Sequence, residues 1–278
     1  MLEKLVEYWL DNANERGYQP VFTQIILAQG HRVMHSTRHS AIEFGKDIIT
    51  IDRDGTPCAF QLKGNPGSRL TLAQHREIAG QLNELVNQPI VYPGVPTRIW
   101  HKSYLVTNGE VEEEVQRAID DFNRGQERAG YPDRKLEMIS RGSLLKWIID
   151  LGDALWPSQV ESGQPLIELL AARGDGEFRF LPLHHLFQSI LLLDDKSPDK
   201  AIPASDLRRR CISAALITEL ALHSYRHKQN HLAVAYAWTM CCLYLVAACE
   251  RQGKSFGRNA KDIFSVAKTA AFDALAAR

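Results

Sequence analysis

The residues best placed to do chemistry lie in two short stretches, Glu43-Phe44-Gly45-Lys46-Asp47-Ile48-Ile49 and Phe60-Gln61-Leu62-Lys63-Gly64. Side chains two apart on a strand share a face. Gln61 and Lys63 therefore project together, while Phe60 and Leu62 point the other way into a core. A hairpin through Asp52-Arg53-Asp54-Gly55, with its Asp-Gly turn signal, brings Asp47 beside them. A carboxylate, an amide oxygen and an ammonium converging at one sheet edge can hold a divalent cation and a water against a phosphodiester. Asp47 and Gln61 are the expected ligands of Mg2+ or Mn2+, which favour hard oxygen donors and keep several waters. The backbone carbonyl of Leu62 is a further candidate ligand, and Glu43, four positions before Asp47, completes the set. Lys63 is expected to orient the attacking water and offset charge growing on the phosphate. The ordinary alternatives are a surface Asp, an exposed strand Gln and a Lys before a Gly turn. Gln61 argues against them, because it stands between Phe60 and Leu62 in an apolar strand, where a polar side chain needs a partner.

Four further residues are candidate phosphate contacts: His39 four positions before Glu43, Lys46 beside Asp47, and Arg69 and Arg76 at the start of a helix expected after Lys63. Each also reads as an ordinary solvated side chain. His223 and His227 have the i, i+4 spacing of a metal pair, extended by His231, but no acid accompanies them. There is no P-loop, GxGxxG or G-x-S-x-G pattern.

These residues need a scaffold, and the composition supplies one. The chain has 278 residues, 45% hydrophobic and 24% charged, which suits a soluble protein of one large or two ordinary domains. Formal net charge is zero, which argues against an extended DNA-coating surface but leaves room for a local basic cleft. Cys58, Cys211, Cys241, Cys242 and Cys249 form no CxxC pair and read as reduced, buried thiols of a cytoplasmic protein. The first residues, Met1-Leu2-Glu3-Lys4, lead into an amphipathic pattern, so no signal peptide is expected.

The apolar stripe of residues 2–16 predicts a helix ended by Gly17, and Pro20 starts a second. Residues 31–39 read as irregular. Strands are expected at 47–51, 58–63, 100–106 and 135–140, and helices at 70–87, 110–125 and from 143. This is an α/β core with a mixed sheet flanked by helices. Beyond about residue 152 no strand alternation remains, so residues 1–155 are read as one domain and 156–278 as an all-α C-terminal domain. Residues 232–249 contain no charge. That is near the lower limit for a membrane span, about 17–25 residues, but the preferred reading is the all-round buried helix of a bundle.

Glu43-x-Gly45-Lys46-Asp47, Gln61-x-Lys63, Tyr104-Leu105-Val106-Thr107-Asn108-Gly109 and Lys135-Leu136-Glu137-x-Ile139, followed by Leu144-Leu145, together resemble the restriction-endonuclease-like PD-(D/E)xK superfamily. The likeness is to its Mrr-like members and to nuclease domains of antiphage effectors, and covers roughly residues 25–150. It departs from the commonest pattern at Gln61, where an acid is usual. The resemblance implies a Mg2+- or Mn2+-dependent endonuclease acting on double-stranded DNA, in a bacterial antiphage or anti-plasmid system. It also implies a helical half that regulates or assembles it through homo-oligomers or sensor partners. A non-catalytic scaffold of the same fold, binding DNA or a protein, is the main alternative; a membrane-anchored effector is the second.

Overall fold

Cys58, Phe60 and Leu62 alternate along one strand with Ala59 and Gln61, yet all five are buried. Such a strand must lie at the centre of a sheet with both faces covered. The computed structural model, which describes residues 2–36, 45–155, 163–193 and 202–277, shows this arrangement. The chain forms two compact units, Met1–Ile148 and Ile149–Arg278.

The first unit runs α1 (Leu2–Asn12), α2 (Glu15–Ala28), β1 (Arg32–Ser36), β2 (Ile48–Ile51), β3 (Pro57–Lys63), β4 (Arg69–Leu70), α3 (Leu72–Glu77), α4 (Ala79–Asn87), β5 (Lys102–Thr107), β6 (Glu110–Val111), α5 (Glu113–Arg128), β7 (Leu136–Ile139) and α6 (Arg141–Leu155). The division between units falls inside α6. The main sheet has the order β1-β2-β3-β5-β7. Pairing is antiparallel from β1 to β3 and parallel from β3 to β7, so the sheet is mixed. Parallel neighbours need crossovers long enough for a helix, and α4 and α5 provide them. On one face Phe60 meets Phe22 of α2 edge-on at 5.3 Å and stacks on Tyr104 at 4.9 Å. On the other, Ala59 and Leu105 join Leu82, Leu85 and Val86 of α4 and Val115 and Ile119 of α5 in one core.

Several boundaries differ from expectation. The first helix stops before Gly17 because Asn14 caps α2, its side chain accepting from Gly17 N at 2.8 Å. Gly17 and Pro20 then fall inside α2. Residues 32–36 form an edge strand with a register shift between Val33 and His35; half-exposed and irregular, it lacks the alternation that marks a strand. The helix expected over 70–87 is divided by Thr71, which caps α3 in a reciprocal capping box with Gln74, and by a break at Ile78.

The second unit is helical throughout its described residues: α7 (Gly163–Leu170), α8 (Phe180–Ile190), α9 (Ala204–Ala221), α10 (His223–His227), α11 (His231–Arg251), α12 (Phe256–Asn259) and α13 (Lys261–Ala276). α9 is buried without interruption from Cys211 to Ala221. Within it lies Glu219, 1% exposed, which accepts from Arg226 Nη2 at 2.7 Å. Arg208 grips Asp262 through two bonds of 2.9 and 2.7 Å, tying α9 to α13. All five cysteines are free and buried, and burial pushes the Cys58 thiol up to about 12 and Cys242 up to about 11. Among the described residues α11 alone is long and apolar enough to cross a membrane, and 56% of that stretch is buried inside the structure. It packs against α9 and α13 but is not buried all round; one line of its residues is exposed.

At the C-terminal ends of β3 and β5 the backbone is closed by a knot of buried polar side chains. Asn108 accepts from Asn65 N at 2.9 Å and donates to Leu10 O at 2.8 Å and Ala13 O at 2.7 Å. It thereby fastens the end of α1 to the sheet. Asn65 accepts from Thr107 Oγ1 at 3.2 Å and donates to Gln74 Oε1 at 3.1 Å. A Cβ on Gly109 would lie 2.6 Å from Asn65 Cβ and 2.7 Å from Ser68 O, so only glycine fits there. Asn108→Ala strands one buried N–H and two helix-end carbonyls. At the usual cost of unsatisfied buried groups it should lower stability by about 3–5 kcal/mol, read as a fall in the urea midpoint; an unchanged midpoint refutes the knot.

Candidate functional site

β2 begins at Ile48, opposite Phe60, while β3 continues past that point to Lys63. Asp47 occupies the step between them. Its N–H donates to Phe60 O at 2.9 Å. Its Oδ2 accepts from Gln61 Nε2 at 3.0 Å and from Leu62 N at 2.7 Å. One carboxylate oxygen thus satisfies a backbone group beyond the end of the β2 ladder and holds the Gln61 amide. Leu62 takes part here through its N–H.

Gln61 is 5% exposed, and its Oε1 is a buried acceptor with no hydrogen-bond partner among the described residues. The amide presents its nitrogen to the carboxylate, the end that can donate. Gly45 makes this packing possible. Its φ is +73°, and a Cβ there would lie 2.5 Å from Gln81 O and 3.1 Å from Gln61 Oε1. The residue types fit a hard divalent cation: one carboxylate and one amide oxygen that lacks a donor, at the same strand edge. Among the described residues no group of three or more His, Cys, Asp or Glu gathers to hold a metal. Glu43 and His39 lie outside the described residues.

Lys63 shares the Gln61 face of β3 and is half-buried. Its backbone is held by Tyr18 of α2. The Tyr18 hydroxyl accepts from Lys63 N at 3.0 Å and lies 3.1 Å from both Lys63 O and Val106 O, donating to one of them. Burial, then the charges of Glu15 and Asp47, push the phenol well above its ordinary range, so Tyr18 stays neutral. Both acids therefore act on the same hydroxyl.

Glu15 was not among the residues singled out by sequence. Its Oε2 accepts from Gly64 N at 3.2 Å, and a Cβ on Gly64 would come 2.7 Å from Glu15 N. This places a second carboxylate at the end of β3, next to Lys63. The signal available was an acid following Asn14, a good N-cap. Nothing in the sequence joins it to Gly64, 49 residues away.

Lys46 corrects an expectation. The sequence suggests a phosphate contact, but the residue is 2% exposed and its Nζ lies 3.5 Å from Glu84 O of α4. Burial, partly opposed by the Glu84 charge, pushes its pKa down to about 8. The side chain is spent inside the fold because α4 covers the sheet end that carries it. Arg69 and Arg76 are exposed; Arg69 lies on β4 rather than on a helix, and Arg76 in the last turn of α3. Compared with known proteins, the chain matches no family model, no curated protein and no solved structure.

The Tyr18 hydroxyl generates a test of the site's frame. Tyr18→Phe leaves the Lys63 N–H without its acceptor and should destabilise the protein by about 1–3 kcal/mol, measured by chemical denaturation. No loss of stability means the hydroxyl does not hold Lys63.

Proposed function

We propose that the first unit is a Mg2+- or Mn2+-dependent DNA endonuclease that hydrolyses phosphodiesters. The observation that carries this reading is the pairing of Asp47 with Gln61, whose buried Oε1 has no donor, on the strand face that also bears Lys63. The resemblance of residues 25–150 to PD-(D/E)xK nucleases supports it. Asp47 and the Gln61 amide oxygen would hold the cation, with Glu15 as the nearby second acid. When bound, the cation supplies a water of lowered pKa and offsets charge on the phosphate. Lys63 orients the attacking water and stabilises the negative charge that develops on the non-bridging oxygens. Tyr18, held neutral, fixes the backbone from which Lys63 projects. Arg69 and Arg76, both exposed, would contact phosphates of double-stranded DNA. The setting that fits is bacterial defence against foreign DNA, with the helical unit controlling or assembling the nuclease.

One observation favours a second reading, a non-catalytic scaffold that keeps this architecture and binds DNA or a protein. Asp47 Oδ2 already serves two donors, as a purely structural residue would.

Two measurements separate the readings. Plasmid cleavage should require Mg2+ or Mn2+ and cease with EDTA. It should also cease in Lys63→Ala and in Asp47→Asn, which keeps an acceptor for Leu62 N, while both variants melt close to wild type. Wild-type cutting by either folded variant rejects the site. In Gln61→Glu, the donor to Asp47 is replaced by a second carboxylate. Like charges at this separation oppose one another, so the metal-free protein should be less stable and its Mn2+ affinity by calorimetry equal or higher. Lost Mn2+ binding in Gln61→Glu assigns Gln61 to structure alone and supports the scaffold.

A further inference from the structure

α11 buries Ala233, Val234, Ala237, Trp238, Cys241 and Leu245 among the residues it turns toward its neighbours. Left exposed are Leu232, Tyr236, Thr239, Leu243, Ala247 and Glu250. At 3.6 residues per turn, steps of four and three keep these six on one narrow line along the helix, about 27 Å long. Leu232 is 58%, Tyr236 45% and Leu243 59% exposed. Lone exposed apolar residues are ordinary, whereas an ordered apolar line on a core helix marks a contact.

The charges at its ends indicate what lies against it. No charged residue interrupts the chain between Leu232 and Cys249. Beside the N-terminal end are the exposed His227 and Lys228, and on the line at the C-terminal end is Glu250. Arg251 is turned about 100° from Glu250 around the helix and leaves the line. Thr239 stands midway in sequence between Lys228 and Glu250. A second copy laid antiparallel about a two-fold axis at Thr239 therefore meets an uncharged face with an uncharged face. Each Glu250 then comes to the N-terminal end of the other copy's α11, just before which the exposed Lys228 lies, and each helix's positive end lies beside the other's negative end. The small Thr239 lets the two backbones approach, with Tyr236 and Leu243 packing to either side. Zero formal net charge gives two copies no long-range repulsion to overcome.

We propose that the exposed line of α11 joins two copies of this chain in an antiparallel, two-fold contact. The proposal does not rest on the nuclease reading, since its measurement is the state of association whether or not the Asp47 site cuts DNA. Sedimentation velocity of the full chain over a wide concentration range should show a reversible species of twice the 31.4 kDa chain mass. Leu243→Lys and, separately, Thr239→Arg should raise the dissociation constant at least about tenfold. Both positions are exposed, so far-UV circular dichroism of the dilute protein should not change. Glu250→Lys should weaken the dimer and Glu250→Lys with Lys228→Glu should restore it, a rescue that a parallel contact does not give. A single 31.4 kDa species throughout, or a dimer indifferent to both Leu243→Lys and Thr239→Arg, overturns the proposal. So does a wild-type monomer that floats with phosphatidylserine-containing vesicles and loses this in Leu243→Lys, which assigns the face to a membrane.

Discussion

Where parallel strands end, their last N–H and C=O groups have no further ladder to join and must find other partners or face water. β3 and β5 end together at Lys63 and Thr107, and the candidate site occupies this place. Four side chains do the closing. Asp47 takes the N–H of Leu62, Tyr18 takes that of Lys63, Glu15 takes that of Gly64, and Asn108 takes that of Asn65. Four consecutive amides are each met by a side chain, two of them from α2, one from the residue before β2 and one from the residue after β5. The site is thus made by the same groups that terminate the sheet, and its geometry is fixed before any ligand arrives.

Burial sorts the charges around this end. Tyr18 is pushed up and Lys46 down, each toward its neutral form. Tyr18 therefore carries no charge near neutral pH, whereas Lys46, at about 8, is still mostly protonated there beneath α4. Lys46 shows the cost of reading a strand end as surface: α4 lies over it, and a long side chain can bury its stem and still reach a carbonyl. The buried Oε1 of Gln61 is the counterpart on the acceptor side. An acceptor left without a donor in a packed interior costs free energy.

The helical unit obeys a different constraint. Among its described residues the buried Glu219 is bonded to Arg226, and the partly exposed Arg208 to Asp262. Apolar side chains stay exposed on α7, α8 and α13 as well, but on α11 Leu232, Tyr236 and Leu243 fall on one line.

Local pattern in the sequence determined the elements that are long or strongly alternating: the hairpin of β2 and β3, strands β5 and β7, and the helical run of the second half. It also determined that Gln61 and Lys63 share a face and that Asp47 lies across from them, because a tight Asp-Gly hairpin fixes register over a few residues. Thr107-Asn108-Gly109 stood out as a motif without revealing its task. That task, fastening α1 to the sheet, joins Asn108 to Leu10, 98 residues away. Glu15 meets Gly64, Tyr18 meets Lys63, and Lys46 disappears beneath α4 for the same reason. These contacts depend on how helices are laid over the sheet, and no periodicity records that. Only the tertiary structure decided them, since the partner of a buried polar group is set by what the packing brings within hydrogen-bond reach.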